Sequence, residues 1–395
     1  MKRKIFTILL LAGFLAAYCT PCVYGARLTR KQKKEAVLIN VAQTSFDEKQ
    51  YDTAIEYYTK ALELNPENAD VYAKRGNAKF LSGDFKEAVK DYTKALELDP
   101  SKENIYYNRG IAKSNLNAFE EVIEDYTKEL EINSENSNAY LNRGTTKVLL
   151  KRYKDAVDDF SKFIELEPDN ELGYYNRGVA RRNDGDAEGA IEDYTKVIEL
   201  NPKNIEAYNN RGVAKFYLKD YKGAVEDYSK IIELNKNFQR VYYNRGIAYL
   251  GLKKYEEAIM DFTKELEINP KNDLAYYERG IAEERLSHNI SAIEDYTKAI
   301  WINSKKADYY DARGALLSKS EGDLKAAEQD LTKAIELDPD DSEKYLTRAI
   351  IFCKLEMYLQ AIDDLNDAIR YNPENTQAYD LRSYAIKSLN SKKSE

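Results

Sequence analysis

From Ala69 to Leu81 the small and apolar residues fall at helical intervals, and Ser82-Gly83-Asp84 then breaks the pattern. A second helix is predicted from Phe85 to Leu98, with Asp84 as its N-cap and Asp99-Pro100 as its stop. Tyr72, Gly76, Ala88, Tyr92, Ala95 and Pro100 carry the spacing of this stretch. Gly76 and Ala88 are small where two helices cross closely, because a larger side chain would push a close-packed pair apart. Phe85 and Tyr92 supply bulk to the interface between neighbouring units. Such a hairpin cannot bury its apolar face alone, so it needs copies of itself alongside.

The copies are present. Arg75-Gly76, Arg109-Gly110, Arg143-Gly144, Arg177-Gly178, Arg211-Gly212, Arg245-Gly246, Arg279-Gly280 and Arg313-Gly314 recur every 34 residues. The beat slips by one residue to Arg348-Ala349 and resumes at Arg382-Ser383. Units begin near Glu35, Ala69, Glu103, Ser137, Glu171, Ile205, Gln239, Asp273, Ala307 and Ser342, which makes ten, and Thr376 to about Leu389 is a further helix. Seven of the eight prolines close a unit. This pattern resembles the tetratricopeptide repeat (TPR), over about residues 35 to 395. The resemblance implies an all-α, right-handed superhelical solenoid whose first helices line a concave groove.

Departures are local. Glu129 and Glu265 replace the small residue late in the second helix, and Ser134, Lys236 and Ser304 replace the proline. The ninth unit carries a one-residue insertion near Glu321-Gly322. The expected organisation is a signal peptide (1–25), a basic lead-in (26–34), ten tandem units (35–375), and a capping helix with a polar tail (376–395).

Charge narrows the functional classes. The net charge is −8, and removing Lys2, Arg3 and Lys4 with a leader makes it −11. An acidic chain without a basic stripe is a poor fit to nucleic acid. The recurrent arginines do not alter this, because each in repeats two to ten is followed by an aspartate sixteen or seventeen residues later. These are Asp91, Asp125, Asp159, Asp193, Asp227, Asp261, Asp295, Asp330 and Asp364, while the first repeat has Val41 and Tyr57 instead. A partly buried ladder joining paired helices is expected, with Arg109–Asp125, Arg143–Asp159, Arg177–Asp193, Arg211–Asp227 and Arg245–Asp261 at its centre. Such pairs fix register more than they add stability.

The first 25 residues differ in kind: Lys2-Arg3-Lys4 precedes the apolar run Ile5 to Ala17. That run is short for the ~20 residues of a membrane span, and the order is that of a signal peptide. Cleavage is expected after Gly25, with export to a bacterial periplasm or cell surface. Leu15-Ala16-Ala17-Tyr18-Cys19 resembles a lipoprotein processing site, and an uncleaved anchor is a third arrangement; both stay open. Cys19-Thr20-Pro21-Cys22 has redox-motif spacing but no βαβ setting. After cleavage Cys353 alone remains, in an apolar helical stretch.

Catalytic chemistry is not apparent. The one histidine, His288, falls at a turn, no second His or Cys completes a zinc set, and eight of seventeen glycines are the repeat glycine. No enzyme activity and no cofactor or metal are expected. A binding face is suggested instead. Two residues before the glycine stand Asn108, Asn142, Asn176, Asn210 and Asn244, in five consecutive repeats. Three before are Tyr107, Tyr175, Tyr243 and Tyr277, with Leu141 and Asn209 between. One after are Ile111, Thr145, Val179, Val213, Ile247 and Ile281.

In the TPR family this face lines the groove, and the row is similar to the asparagine ladder in the TPR superhelix of O-linked N-acetylglucosamine transferase. Carboxamides can bond a peptide backbone without reading side chains, and tyrosines add rigid contact area. The plainer alternative is that repeat duplication carried the asparagines along and they cap local polar groups. The carboxylate clamp of chaperone-binding TPR proteins needs lysine three before the glycine and asparagine one after; Asn77 alone matches. The expected function is a protein–protein interaction scaffold holding extended segments of other proteins, monomeric, touching a membrane only through an N-terminal anchor or lipid. An envelope-assembly adaptor or a self-associating solenoid is the alternative. The polar tail from Lys387 and the basic stretch Arg27 to Lys34 argue against end-to-end growth.

Overall fold

The computed structural model describes residues 28–319 and 323–394. Their regular structure consists of twenty-one α-helices and no strand. The leader 1–25 with Cys19 and Cys22, and the insertion at Glu321-Gly322, lie outside the described residues.

The described chain up to Ala139 forms one compact unit and the chain from Tyr140 a second. The first holds α1 (Arg30–Asp47), α2 (Tyr51–Leu64), α3 (Ala69–Leu81), α4 (Phe85–Leu98), α5 (Ile105–Asn115) and α6 (Phe119–Ile132). The boundary falls inside α7 (Ser137–Leu149). The second continues with α8 (Tyr153–Leu166), α9 (Glu171–Asp184), α10 (Ala187–Leu200), α11 (Ile205–Tyr217) and α12 (Tyr221–Leu234). It goes on through α13 (Val241–Gly251), α14 (Tyr255–Ile268), α15 (Asp273–Arg285) and α16 (Asn289–Ile302). It ends with α17 (Ala307–Lys319), α18 (Leu324–Leu337), α19 (Ser342–Lys354), α20 (Tyr358–Tyr371) and α21 (Thr376–Ser394). Odd-numbered helices are the first of each pair, even-numbered the second, and α21 has no second helix among the described residues.

Each turn between paired helices is made by one left-handed residue where it is described: Lys49, Gly83, Asn117, Lys151, Gly185, Lys219, Lys253, Ser287 and Glu356. The second helix then starts, in four cases under an aspartate cap: Asp84, Asp186, Asp220 and Asp323 accept backbone N–H groups of the first turn. The core is a chain of small clusters, each shared between consecutive helices. In the first unit Ala42, Ala54, Tyr58, Ala61, Leu62, Val71 and Ala78 pack together across α1, α2 and α3. In the second, Tyr208, Ala224, Tyr228, Ile231, Val241 and Ala248 do the same across α11, α12 and α13.

The repeat glycine sets how closely a pair approaches. A Cβ on Gly212 would lie 2.9 Å from the Tyr228 ring, and one on Gly246 would lie 2.7 Å from the Phe262 ring. The ring therefore occupies the space of the missing side chain, and full burial of such a ring stabilises by about 1.5–3 kcal/mol.

Two local starts differ from the expected repeat boundaries. α5 and α13 begin two residues after Glu103 and Gln239, with Asn104 and Arg240 left-handed (φ 65° and 62°). These are the two repeats whose second helix carries a glutamate in place of the small residue. Glu129 is fully buried, and its carboxylate accepts from the backbone N–H groups of Asn104 (3.1 Å) and Tyr107 (3.3 Å). It thus takes over the capping that the Asn104 side chain does not provide. Glu265, 3% exposed, accepts from Asn272 Nδ2 at 2.9 Å. At the other end of the chain, α1 starts at Arg30, inside the expected lead-in. Thr29 Oγ1 accepts from the Gln32 N–H (3.2 Å) while the Gln32 side-chain Oε1 accepts from the Thr29 N–H (2.8 Å), a reciprocal cap.

Candidate functional site

The arginine that precedes each repeat glycine reaches three helices at once. Arg75 donates from Nε and Nη2 to the two oxygens of Asp91, both at 2.8 Å, and from Nη1 to Thr59 Oγ1 at 3.0 Å. Asp91 lies on its own second helix, α4, and Thr59 on the preceding one, α2. The arrangement recurs at Arg109 with Asp125 and Thr93, and at Arg177 with Asp193 and Ser161. It recurs again at Arg211 with Asp227 and Thr195, and at Arg245 with Asp261 and Ser229. Arg143 grips Asp159 through Nε and Nη2 (3.1 and 2.7 Å). Arg279, Arg313 and Arg348 complete the series on Asp295, Asp330 and Asp364. Fork-to-carboxylate bonding of this kind fixes direction as well as distance.

A second cation was not foreseen. Lys79, Lys113, Lys147, Arg181 and Lys215 reach the same aspartates at 2.8–3.0 Å. The signal was a basic residue four places after the repeat arginine. It stops after the sixth repeat: Tyr249, Glu283, Leu317 and Phe352 stand there next. With one cation left, burial pushes the carboxyls of Asp261, Asp295 and Asp364 up despite the pull of their arginines.

The expected binding face lies on the first helices. Close first-helix neighbours are α3 and α5 in the first unit, and α9 with α11, α13 with α15, α17 with α19 and α19 with α21 in the second. Each tyrosine three before the glycine leans on the ring that fills the glycine notch. Tyr107 lies 5.7 Å from Tyr126, Tyr175 6.0 Å from Tyr194, Tyr243 5.9 Å from Phe262 and Tyr277 5.8 Å from Tyr296. Tyr277 also stacks on Tyr309 at 4.9 Å. All four are half-buried, and burial pushes the hydroxyls of Tyr243 and Tyr277 up to about 12.

The asparagines are less uniform. Asn142 and Asn244 are half-buried on α7 and α13. Asn176 Nδ2 donates back to the Leu172 carbonyl at 2.9 Å, and Asn108 Nδ2 approaches Asn77 Oδ1 at 3.4 Å. Asn210 departs from the expectation of a free amide. It is 9% exposed, donates to the Tyr175 hydroxyl (3.1 Å) and accepts from Arg182 Nη1 (3.0 Å). Both ends of that amide brace α9 against α11, because Tyr175 and Arg182 come from the preceding repeat.

In the repeat after Asn244 the asparagine position holds Glu278. Its carboxyl has no hydrogen-bond partner among the described residues, and burial pushes it up to about 7. Asp311, three before Gly314, is raised to about 6, first by burial and then by Asp341, Asp308 and Glu343, against the pull of Lys344. Glu278 thus takes the place of an amide, and Asp311 the place of a tyrosine. Elsewhere His288 is exposed, with Nδ1 2.7 Å from Glu283, and burial pushes the Cys353 thiol up. Among the described residues no cluster of potential metal ligands occurs, and no helix is long and apolar enough to cross a membrane.

Two outcomes follow for stability. Asp227→Ala strands both Arg211 and Lys215, and urea unfolding should show a loss of about 3–5 kcal/mol; Asp261→Ala, which strands Arg245 alone, should lose less. The Glu278 carboxyl is raised from 4.5 to about 7, so folding favours its protonated form. Stability from this group is full at low pH, falls as pH rises from the unfolded value through the folded one, and is level beyond. Glu278→Gln should remove that slope and raise the pH 8 unfolding free energy by at most roughly 3 kcal/mol. An unchanged slope would show that Glu278 does not cause it.

A family model described as TPR repeat matches residues 43–83, 76–117 and 180–219. Two further models, both described as tetratricopeptide repeat, match 205–238 with 240–272 and 137–170 with 307–341. Among solved structures, YrrB, a TPR protein described as having an unusual peptide-binding site, is similar at 24% identity and TM-score 0.43. It covers 49% of this chain and 99% of its own. MamA is similar at 26% identity and TM-score 0.42, over 45% of this chain and 96% of its own. The APC/C hetero-tetramer Cut9–Hcn1 matches at 14% identity and TM-score 0.45, over 91% of this chain and 97% of its own. With its helix pairs, its 34-residue beat and the family-model matches over more than half its length, the chain belongs to the tetratricopeptide repeat family.

Proposed function

We propose that this chain is a non-enzymatic interaction scaffold that holds an extended segment of another protein along the first helices of its second unit. The observation that carries the reading is the footing of Tyr175, Tyr243 and Tyr277. Each ring is held from beneath by a second-helix ring, so its outward edge meets a ligand with little rotamer freedom left to lose. Asn142, Asn176 and Asn244 supply amide donors and acceptors beside them, suited to a peptide backbone. Asn210 serves this face indirectly, by fixing the Tyr175 hydroxyl. Tyr107 and Asn108 offer a smaller version of the same chemistry in the first unit. Affinity is the sum of many weak backbone bonds and aromatic burial.

The test compares wild type with Asn142→Ala/Asn176→Ala/Asn244→Ala and with Tyr243→Ala, helicity being checked by circular dichroism. Each is challenged with a displayed library of unstructured peptides. Selected peptides should bind the wild type and lose at least about tenfold in affinity with either variant. Equal capture by all three would overturn the groove reading. We further propose export with cleavage after Gly25. N-terminal sequencing of protein recovered from an expressing bacterium should then begin at Ala26, and an intact Met1 would overturn it.

A further inference from the structure

The outer face of α21 repeats, uncovered, the chemistry that every preceding first helix from α3 to α19 presents to its own second helix. The nearest copy is α19. There Tyr345 is 7% exposed, Phe352 8% and Ala349 fully buried, while Arg348 grips Asp364 at 2.8 and 2.7 Å. Thirty-four residues on stand Tyr379, Ile386, Ser383 and Arg382. Tyr379 is 40% exposed and Ile386 43%, and Ser383 is exposed as well.

Arg382 is set as its counterparts are. Its Nη1 donates to Asn366 Oδ1 at 2.8 Å, in the place where Arg348 Nη1 donates to Thr332 at 2.9 Å. Its guanidinium lies 5.3 Å over the Tyr379 ring, as that of Arg348 lies 5.9 Å over Tyr345. The Nε and Nη2 groups, which grip an aspartate in nine other repeats, have no carboxylate among the described residues. The opposite side of α21 is closed, with Ala378 and Ala385 fully buried. Moreover α21 runs on to Ser394, past the point corresponding to Lys354 where α19 ends and the chain turns back.

We propose that this face docks one amphipathic helix of a partner protein, in the place that a second helix holds against each preceding first helix. Nine internal copies state what fits. In seven of the nine the helix carries a small residue, an aspartate three places on, a large apolar residue at the next place and a small or apolar one three further, as in Ala361-Asp364-Leu365-Ala368, and the complementary helix is expected to do the same. Its aspartate meets the free fork of Arg382. Ser383 leaves less room than glycine, and where Ala349 replaces the glycine the opposing residue is Leu365 rather than an aromatic ring; leucine is therefore expected opposite Ser383. Apolar contact with Tyr379 and Ile386 supplies the rest, in the helix-in-groove manner. This site is separate from the groove of the second unit and stands or falls independently of it.

The probe is a synthetic helix with the sequence of residues 358–371, stapled through its solvent side and fluorescently labelled, titrated into the full chain. Saturable binding is expected, weakened at least about tenfold by asparagine at the probe's Asp364 position, by Arg382→Ala and by Ile386→Lys. Arg382 and Ile386 both lie on the open face of α21, so unfolding midpoints of the two chain variants should match wild type. No saturable binding, or binding indifferent to all three changes, overturns the proposal. Sedimentation equilibrium of the chain alone is the second arm and should show monomer. A concentration-dependent dimer abolished by Arg382→Ala would assign the face to a second copy and overturn the partner-helix assignment.

Discussion

One guanidinium group, used again and again, holds three helices in register. The repeat arginine sits on a first helix, clasps a carboxylate on its own second helix and touches a hydroxyl on the second helix before it. Its net contribution to stability is modest, because taking both charges out of water offsets most of their attraction. Its geometric demand is not modest. A planar fork accepts a carboxylate in one orientation, so any slip of one helix along another leaves a charge buried without its partner. The apolar clusters favour compaction of any similar arrangement; the fork selects one among them.

The glycine next to that arginine works with it. By removing one Cβ it lets a tyrosine or phenylalanine ring of the second helix lie against the backbone of the first. The same ring then supports the tyrosine on the adjoining face. Core packing and surface chemistry are thus linked through a shared aromatic pair, so the half-buried tyrosines rest on rings whose position the interior packing sets.

Much of this was legible in the chain. A strict period makes the Arg-to-Asp spacing visible, since a contact within one repeat keeps its sequence separation in every copy. The serine or threonine under Nη1 and the second basic residue have constant spacing too, but small hydroxyls and lysines are common enough in helices to pass without notice. Asn210 was misjudged for a different reason. Its partners Tyr175 and Arg182 lie 35 and 28 residues away, and Arg182 has no equivalent in the neighbouring repeats. The late starts of α5 and α13 go with Glu129 and Glu265, which looked like lapses in the pattern; Glu129 itself accepts from the backbone at the start of α5. Which molecules occupy the face is not encoded in periodicity, because repetition reports what the repeats do for one another.

The disappearance of the second cation after the sixth repeat gives the second unit a direction. In an array where each hairpin touches only its neighbours, stability is close to a sum of local terms and nearest-neighbour couplings. The hairpins around Asp159, Asp193 and Asp227 have their buried carboxylates doubly compensated, whereas those around Asp261, Asp295, Asp330 and Asp364 do not. Glu278, without a partner among the described residues, and Asp311, opposed only by the pull of Lys344, add buried acid to the same later stretch. The electrostatic cost of keeping these carboxyls buried is therefore larger in the later hairpins. The later hairpins have more to gain from a bound molecule than the earlier ones, and a ligand engaging them would act on the cooperativity of the unit as well as on its surface.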